Sequence, residues 1–118
     1  MFIPEKRFCV YIVTNCAKKV LYAGITNNLE QRITEHYIQR GDSSSFTGKY
    51  YTFYLLYYEY FDYVKNAIAR EKEIKDWNRN RKEALVTSFN PGWKFLNEEL
   101  FGKWPPDKLF HRRDSYPK

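Results

Sequence analysis

The chain has 118 residues, of which 20 are Lys or Arg and 14 are Asp or Glu, so its formal net charge is +6 and its pI is near 9.3. This length predicts one domain, and 43% hydrophobic residues exclude a largely disordered chain. The longest run without a charge, from Phe8 to Ala17, is shorter than the roughly 20 apolar residues that span a bilayer. We therefore expect no transmembrane helix and no membrane partner.

Soft metal ligands are few. The chain contains two cysteines, Cys9 and Cys16, and two histidines, His36 and His111, with neither C-x-x-C nor H-x-x-x-H spacing. This pattern argues against a structural zinc site. Because two cysteines are also too few for a disulfide framework, we expect reduced thiols and a cytoplasmic protein.

Aromatic residues make up 19% of the chain and include 11 tyrosines, next to the basic excess. Aromatic and cationic side chains together are typical of proteins that bind nucleic acid. Tyrosine is also common in half-buried strands, so composition alone leaves this interpretation open.

The first predicted element is a β-hairpin. An apolar, β-branched run over 8–13 is followed by a polar break over 15–19 and a second apolar run over 20–24. A break centred near Ala17 would place Tyr11 and Tyr22 roughly opposite one another on the two strands. Each tyrosine by itself could equally serve strand packing.

A helix is predicted next, over residues 29–40. Asn28 is spaced from Gln31 as in a capping box, and Gly41 can adopt the left-handed conformation that ends a helix. Residues 41–48 are predicted to form a loop.

The third strand is predicted over residues 51–61. It is rich in aromatic residues and nearly uncharged, which is typical of a strand covered on both faces, so we expect it to be central in the sheet. Asp62 is the predicted N-cap of a second helix over 63–77. A shorter helix over 79–88 follows, and the predicted order of elements is ββαβαα. Residues 1–96 would then form the domain and 97–118 a C-terminal extension.

One carboxylate does not fit a structural pattern. The apolar stripe of the second helix is formed by Val64, Ala67, Ile68 and Ile74. Glu71 falls inside this stripe, where an unpaired carboxylate costs several kcal/mol, so it needs a Lys or Arg partner or a metal ion. An ordinary salt bridge at the margin of the stripe is one alternative. The other is Mg²⁺, which one or two protein carboxylates can hold together with water and phosphate.

Arg32 and His36 lie one turn apart on the first helix and could point across the sheet. Arginine offers a fork of donors that matches phosphate oxygens, and histidine can transfer a proton. A solvated polar flank is the alternative interpretation.

Two tripeptides of the hairpin, Cys9-Val10-Tyr11 and Tyr22-Ala23-Gly24, are accompanied by the segments 21–32, 67–77 and 90–93. Together these residues resemble the GIY-YIG nuclease family, in particular its small standalone members related to the N-terminal domain of the excision-repair nuclease subunit. The first tripeptide stands where the family has Gly-Ile-Tyr, and the second where it has Tyr-Ile-Gly. The resemblance covers residues 8–96.

The resemblance implies an α+β fold with a three-stranded antiparallel sheet flanked by helices. It also implies a metal-dependent endonuclease that hydrolyses DNA phosphodiester bonds with Mg²⁺ or Mn²⁺, in DNA repair or recombination. DNA is the expected partner, and RNA is not excluded. Carried over position by position, the catalytic residues are Tyr11, Tyr22, Arg32, His36 and Asn90, and the metal-binding residue is Glu71.

A mechanism follows from these matches. Tyr11 would act as general base on water if adjacent positive charge lowers the phenol pKa from its usual value of about 10. Arg32 would neutralise the phosphorane, and Tyr22 would position the phosphate or the water. Glu71 would hold the metal ion, and His36 would serve as a secondary proton donor or a phosphate contact.

Further cations are expected to bind the nucleic acid. Ile25 stands where some family members carry lysine, and we expect Lys49 to supply a cation instead. The other predicted contacts are Arg70, Lys72, Lys75, Arg79, Arg81 and Lys82. Such charges also occur on solvated helix faces.

Two other functions stay open at this point. One is a non-catalytic nucleic-acid-binding module on the same scaffold, and the other is a protein-interaction domain that uses the aromatic third strand. The sequence does not fix the oligomeric state or exclude a protein partner.

Overall fold

The computed structural model describes residues 7–106, which form three strands and five helices. In chain order these are β1 (Phe8–Thr14), β2 (Leu21–Thr26), α1 (Leu29–Ile38), α2 (Phe46–Lys49), β3 (Tyr54–Phe61), α3 (Val64–Asp76), α4 (Arg79–Phe89) and α5 (Asn97–Phe101). Among the helices of this described range, none is both long and apolar enough to cross a bilayer.

The sheet is antiparallel with the strand order β2-β1-β3, which confirms the predicted α+β fold with a three-stranded antiparallel sheet. The prediction that the third strand is central was wrong, because β1 lies between the other two. Every residue of β1 from Cys9 to Thr14 is buried, whereas in β3 the side chain of Tyr60 is 41% exposed. Tyrosines can pack one ring face and leave the rest in water, so an aromatic run does not require cover on both sides.

The hairpin register places the two motif tyrosines on the same face, although they do not pair. Tyr11 pairs with Gly24, and Tyr22 pairs with Val13, so the tyrosines are offset diagonally rather than directly opposite as predicted. The offset arises because the turn is centred beyond Ala17, toward Lys18, which adopts a left-handed φ of 59°.

Side chains of β1 alternate between the two faces of the sheet and so divide the core into two layers. The buried residues of the first layer are Cys9, Tyr11, Val13, Leu29, Ile33, Leu55, Leu96 and Trp104. The buried residues of the second layer are Val10, Ile12, Ala23, Leu56, Tyr57, Ala67, Ile74 and Val86. Helix α1 therefore covers one face of the sheet, and α3 and α4 cover the other.

Residues 41–48 are not simply a loop, as predicted, because they include the start of the short helix α2. The Ser45 side chain caps α2 by accepting a hydrogen bond from the Gly48 amide. A Cβ at Gly48 would lie 2.5 Å from the carbonyl oxygen of Asp42, so this tight turn needs glycine. The third strand begins at Tyr54 rather than residue 51, because Tyr51 has a φ of 52° and cannot continue a strand.

Helix α3 begins one residue later than predicted. Tyr63 is its N-cap residue, and Asp62 instead forms an ion pair with Arg7 at 3.5 Å. Val64 and Ile68 are each 40% exposed, so the inward face of α3 is narrower than the predicted stripe.

The start of the predicted C-terminal extension packs against the first layer. The buried Asn97 side chain donates to the Phe53 carbonyl and accepts from the Leu55 amide, and Trp104 is also buried. The division at residue 96 stays a prediction. Residues 107–118, with His111, lie outside the described residues.

Candidate active site

The candidate site is built around the hydroxyl of Tyr11, on the face of the hairpin that α1 covers. Tyr11 is 1% exposed, and its hydroxyl lies 2.8 Å from Nε2 of His36. Gly24 pairs with Tyr11 across the hairpin, and a Cβ there would lie 2.4 Å from the tyrosine hydroxyl. The glycine of the second tripeptide is therefore required by the close approach of the phenol.

His36 joins Tyr11 to a third buried side chain. Its Nδ1 lies 3.0 Å from Oγ1 of Thr47, which α2 supplies. Thr47 is 4% exposed and His36 is 1% exposed, so these three side chains form a buried hydrogen-bonded chain. Thr47 has no signal in the sequence, because a four-residue helix has no apolar period and the spacing of residues 36 and 47 matches no motif.

Burial lowers the pKa of His36 to about 4, and the nearby Arg32 guanidinium adds to this effect. The imidazole is therefore neutral near pH 7, with one ring nitrogen that donates and one that accepts. At 1% exposure His36 does not lie on a solvated flank, and its role as a secondary proton donor or phosphate contact stays a prediction.

Burial also raises the pKa of Tyr11 above its ordinary value, and the Arg32 guanidinium only partly opposes this. The condition set for Tyr11 as general base, a pKa lowered by neighbouring positive charge, is therefore not met in the free protein. A buried phenolate would lose more hydration than one guanidinium can replace, so Tyr11 is a neutral hydrogen-bond donor in the free protein.

Arg32 lies at the solvent edge of this buried chain. Its side chain is 37% exposed, it forms an ion pair with Glu35 at 2.9 Å, and its guanidinium is near enough to Tyr11 and His36 to act on the pKa of both. It lines a polar cleft of about 170 Å³ whose other residues are Thr26, Asn27, Asn28, Gln31 and Glu35. Arg32 can therefore present its positive charge to an anion in solvent, close to Tyr11.

Tyr22 lies beside the buried chain and is only partly covered. Its ring centroid is 6.0 Å from that of His36 and 5.6 Å from that of Phe46. The ammonium of Lys75, from α3, lies 5.3 Å from the Tyr22 ring centroid. Tyr22 is thus the point at which a residue from the other side of the sheet reaches the site.

Glu71 faces inward on α3, with 17% of its side chain exposed, and its Oε2 lies 3.2 Å from Nζ of Lys75. The structure therefore shows the salt bridge that the sequence left as one alternative. Within residues 7–106, no group of three or more Asp, Glu, His or Cys side chains could hold a metal ion. This donor set fits a metal ion that takes one carboxylate and completes its shell with water and phosphate.

Asn90 was a predicted catalytic residue, yet its hydrogen bonds are those of a structural cap. Its Nδ2 donates to the carbonyls of Leu56 and Lys94, and its Oδ1 accepts from the Lys94 amide. It is 4% exposed and ends α4. These contacts do not connect Asn90 with the tyrosine site, so its catalytic role stays a prediction.

Three of the predicted DNA-binding cations are already paired within the fold, namely Lys75, which pairs with Glu71, and two arginines. Arg70 forms ion pairs with Glu59 at 3.1 Å and with Glu73 at 2.8 Å. Arg79 pairs with Glu83 at 2.7 Å and also donates to the carbonyls of Lys18 and Lys19. Both arginines have structural roles, which leaves less charge on them for phosphate.

The side chains of the other predicted cations are less constrained by contacts within the fold. Arg81 lies over the Trp77 ring at 4.4 Å and Lys49 over the Tyr50 ring at 5.3 Å, so both make cation–π contacts. Lys72 and Lys82 make no ion pair with any residue between 7 and 106.

Known proteins are similar to this chain in sequence. Residues 7–84 match the family model described as the GIY-YIG catalytic domain. A UPF0213 protein of Clostridium perfringens is 37% identical over 94 residues, which are 80% of this chain and 92% of that protein. A UPF0213 protein of Natronomonas pharaonis is 39% identical over 77 residues, which are 65% of this chain and 87% of that protein.

The fold agrees as well. The solution NMR structure of a UPF0213 protein from Bacillus halodurans aligns with a TM-score of 0.50 and 25% identity, over 82% of this chain and 99% of that one. The matched residues 7–84 include Tyr11, Tyr22, Arg32, His36 and Glu71, but not Asn90. The chain belongs to the GIY-YIG family, whose catalytic domain forms most of it.

Proposed function

We propose that this protein is a divalent-metal-dependent endonuclease that hydrolyses phosphodiester bonds in DNA. The observation that carries the proposal is the buried contact between the Tyr11 hydroxyl and the neutral His36 imidazole, with the half-exposed Arg32 guanidinium nearby. Membership of the GIY-YIG family supports a nucleic-acid substrate.

Because its pKa is raised, Tyr11 is protonated and can act as a base only if another group accepts its proton. His36 is placed to accept it. With the Nδ1 proton donated to Thr47, Nε2 accepts from the Tyr11 hydroxyl. As water attacks phosphorus, the Tyr11 oxygen takes a proton from the water while its own proton passes to Nε2. Tyr11 then acts as the base without becoming a free phenolate, and the nearby anionic phosphate favours the cationic imidazole.

Arg32 and Tyr22 stabilise and orient the phosphate in this proposal. Arg32 places its guanidinium where negative charge develops on the phosphorane, and its ion pair with Glu35 restricts its rotamers. The Tyr22 hydroxyl positions the phosphate or the attacking water.

Glu71 is the residue that would hold Mg²⁺ or Mn²⁺. The bound ion would stabilise charge on the leaving oxygen and on a non-bridging oxygen. Lys75, which pairs with Glu71 in the free protein, would then turn its ammonium toward the substrate phosphate.

The proposal is tested by incubating the protein with plasmid, single-stranded and branched DNA, and with RNA, each with Mg²⁺, Mn²⁺ or EDTA. We expect DNA cleavage that EDTA abolishes and that Glu71→Gln almost abolishes with the fold intact. Glu73→Gln is the matched control, because Glu73 lies on the same helix and is 51% exposed. Full activity of the Glu71 variant would remove this residue from the mechanism.

A non-catalytic nucleic-acid-binding module is the second candidate function. The Glu71–Lys75 ion pair favours it, since the carboxylate is satisfied without a metal ion. Binding without cleavage under every metal condition of the same assay would establish it. A role in DNA repair or recombination and a cytoplasmic location stay predictions.

A further inference from the structure

A row of aromatic rings leads from the candidate site outward along α2. The Tyr22 and Phe46 rings stack with centroids 5.6 Å apart, and the Phe46 and Tyr50 centroids are 4.9 Å apart. An ammonium lies 5.3 Å from the ring at each end of the row, Lys75 over Tyr22 and Lys49 over Tyr50. The row thus begins at a residue of the proposed phosphodiester site and is flanked by positive charge.

The outer part of this row is open to solvent. Phe46 is 46% exposed, Tyr50 is 40% exposed and the adjacent Tyr51 is 52% exposed. No ring contact or side-chain hydrogen bond joins Tyr51 to another residue of the described chain. The Tyr51 ring therefore contributes little to the packing of the fold.

The backbone of Tyr51 is nevertheless held in an uncommon conformation. Its φ of 52° lies in the left-handed region, which bulky residues rarely adopt. Its amide donates to the Gly48 carbonyl at 3.3 Å, and the next amide, of Thr52, donates to the Thr47 carbonyl at 2.9 Å. Backbone strain that neighbouring contacts enforce is common where a loop presents a side chain to a ligand.

We propose that Phe46, Tyr50 and Tyr51 form a platform on which unpaired bases of a single DNA strand stack, next to the scissile phosphate. The inference rests on the proposed function, because the row starts at Tyr22. Aromatic side chains beside cations bind single strands in this way, through the π-faces of bases and the backbone phosphates. In a duplex these π-faces are stacked on neighbouring pairs, so the platform favours single-stranded DNA or a single-stranded region beside a junction.

The flanking charges select nucleic acid over a protein partner as the occupant. Lys49 and Lys75 lie at opposite ends of the aromatic row, where two phosphates of one strand could pair with them. An apolar protein surface would have to desolvate both ammonium groups without supplying a counter-charge.

The test measures binding rather than cleavage, so it does not depend on catalysis. Fluorescence anisotropy in EDTA compares a labelled single-stranded oligonucleotide with the same strand annealed to its complement. We expect tighter binding of the single strand, and a loss of about tenfold on Tyr51→Ala that Tyr51→Phe restores, as for one base stacked on an aromatic ring. Tyr63→Ala is the matched control, because Tyr63 is 72% exposed and forms no side-chain hydrogen bond at the start of α3.

The outcomes separate the platform from the nuclease proposal. Single-strand binding that depends on Tyr51 in a protein that cleaves nothing would support the platform and refute the proposed function. Cleavage with single-strand affinity unchanged by Tyr51→Ala would overturn the platform alone. An equal loss of single-strand and duplex binding, or a concentration-dependent dimer that Tyr51→Ala abolishes while DNA affinity is unchanged, would also overturn it.

Discussion

Tyr11 and His36 show how burial decides the chemistry of a side chain. The phenol keeps its proton and the imidazole stays neutral because both side chains are only 1% exposed, where α1 packs on β1. The motif tripeptides identify Tyr11 from the sequence. The protonation states could not be predicted in this way, because they depend on desolvation by elements far apart in the chain.

The Tyr11 hydroxyl is expected to be essential for cleavage. Tyr11→Phe keeps the buried ring but removes the proton carrier, so the single-turnover rate should fall by about 100-fold or more. The matched control is Tyr57→Phe, which loses a hydroxyl bonded to Glu59 on the other face of the sheet and should cleave normally. Equal rates for wild type and Tyr11→Phe would contradict the proton route.

His36 should also make stability depend on pH. Its folded-state pKa of about 4 is below the usual 6.5, so the unfolded chain binds the proton more readily between these values. Its contribution is complete above pH 6.5 and is lost as the pH falls toward 4, by about 3 kcal/mol in all. Urea unfolding at pH 7 and pH 4 should show this loss in wild type and a smaller one in His36→Gln. Equal losses of stability in wild type and His36→Gln would rule out this contribution of His36.

Helices α2 and α5 are the elements that the sequence could not reveal, and α2 completes the site. The hairpin, α1, α3 and α4 have turn, cap or periodic signals, and each was predicted to within a few residues. A four-residue helix has too short a period to be recognised. The central position of β1 was missed for another reason, since strand order depends on how tertiary packing covers each strand.

Thr47 from α2 is expected to orient the His36 imidazole. Thr47→Val should lower the cleavage rate about tenfold and shift its pH profile, because Nδ1 loses its partner and the tautomer is no longer fixed. Thr47→Ser keeps the hydroxyl and should restore both the rate and the profile. If Thr47→Val and Thr47→Ser cleave at the same rate, the hydrogen bond to Nδ1 has no role in cleavage.

The cations of α3 should fall into two groups. Lys72 has no ion pair within residues 7–106, so Lys72→Gln should reduce the slope of log affinity against log salt by about one. Arg70 pairs with Glu59 and Glu73, so Arg70→Gln should lower stability and leave this slope nearly unchanged. DNA titrations at several salt concentrations, with thermal unfolding of both variants, check this division. If Arg70→Gln changed the slope and Lys72→Gln did not, DNA would instead bind on the Arg70 side of α3.

At the scale of the whole molecule, residues 97–104 pack against the first layer of the core. Asn97 completes the edge of β3 through the Phe53 carbonyl and the Leu55 amide. Its sequence neighbourhood of charge and proline gave no sign of this role. A polar residue becomes structural when it meets unpaired backbone groups that only the folded chain brings together.

Asn97→Ala should therefore destabilise the protein by about 2 kcal/mol, because two buried backbone groups lose their partners. Asn66→Ala, on the exposed face of α3, is the control and should change little. Chemical denaturation of both variants measures the difference. A loss of less than about 0.5 kcal/mol, typical of an exposed surface position, would show that Asn97 is dispensable.

The site lies across the free edge of β2, where the two layers of the core meet. Tyr22 packs with the first layer, α3 packs on the second, and Lys75 joins them around this strand. A refolding intermediate that contained only the hairpin and α1 would hold the phenol and the guanidinium but lack the carboxylate. Recovery of the proposed nuclease activity during renaturation would therefore require α3 to have docked on the sheet.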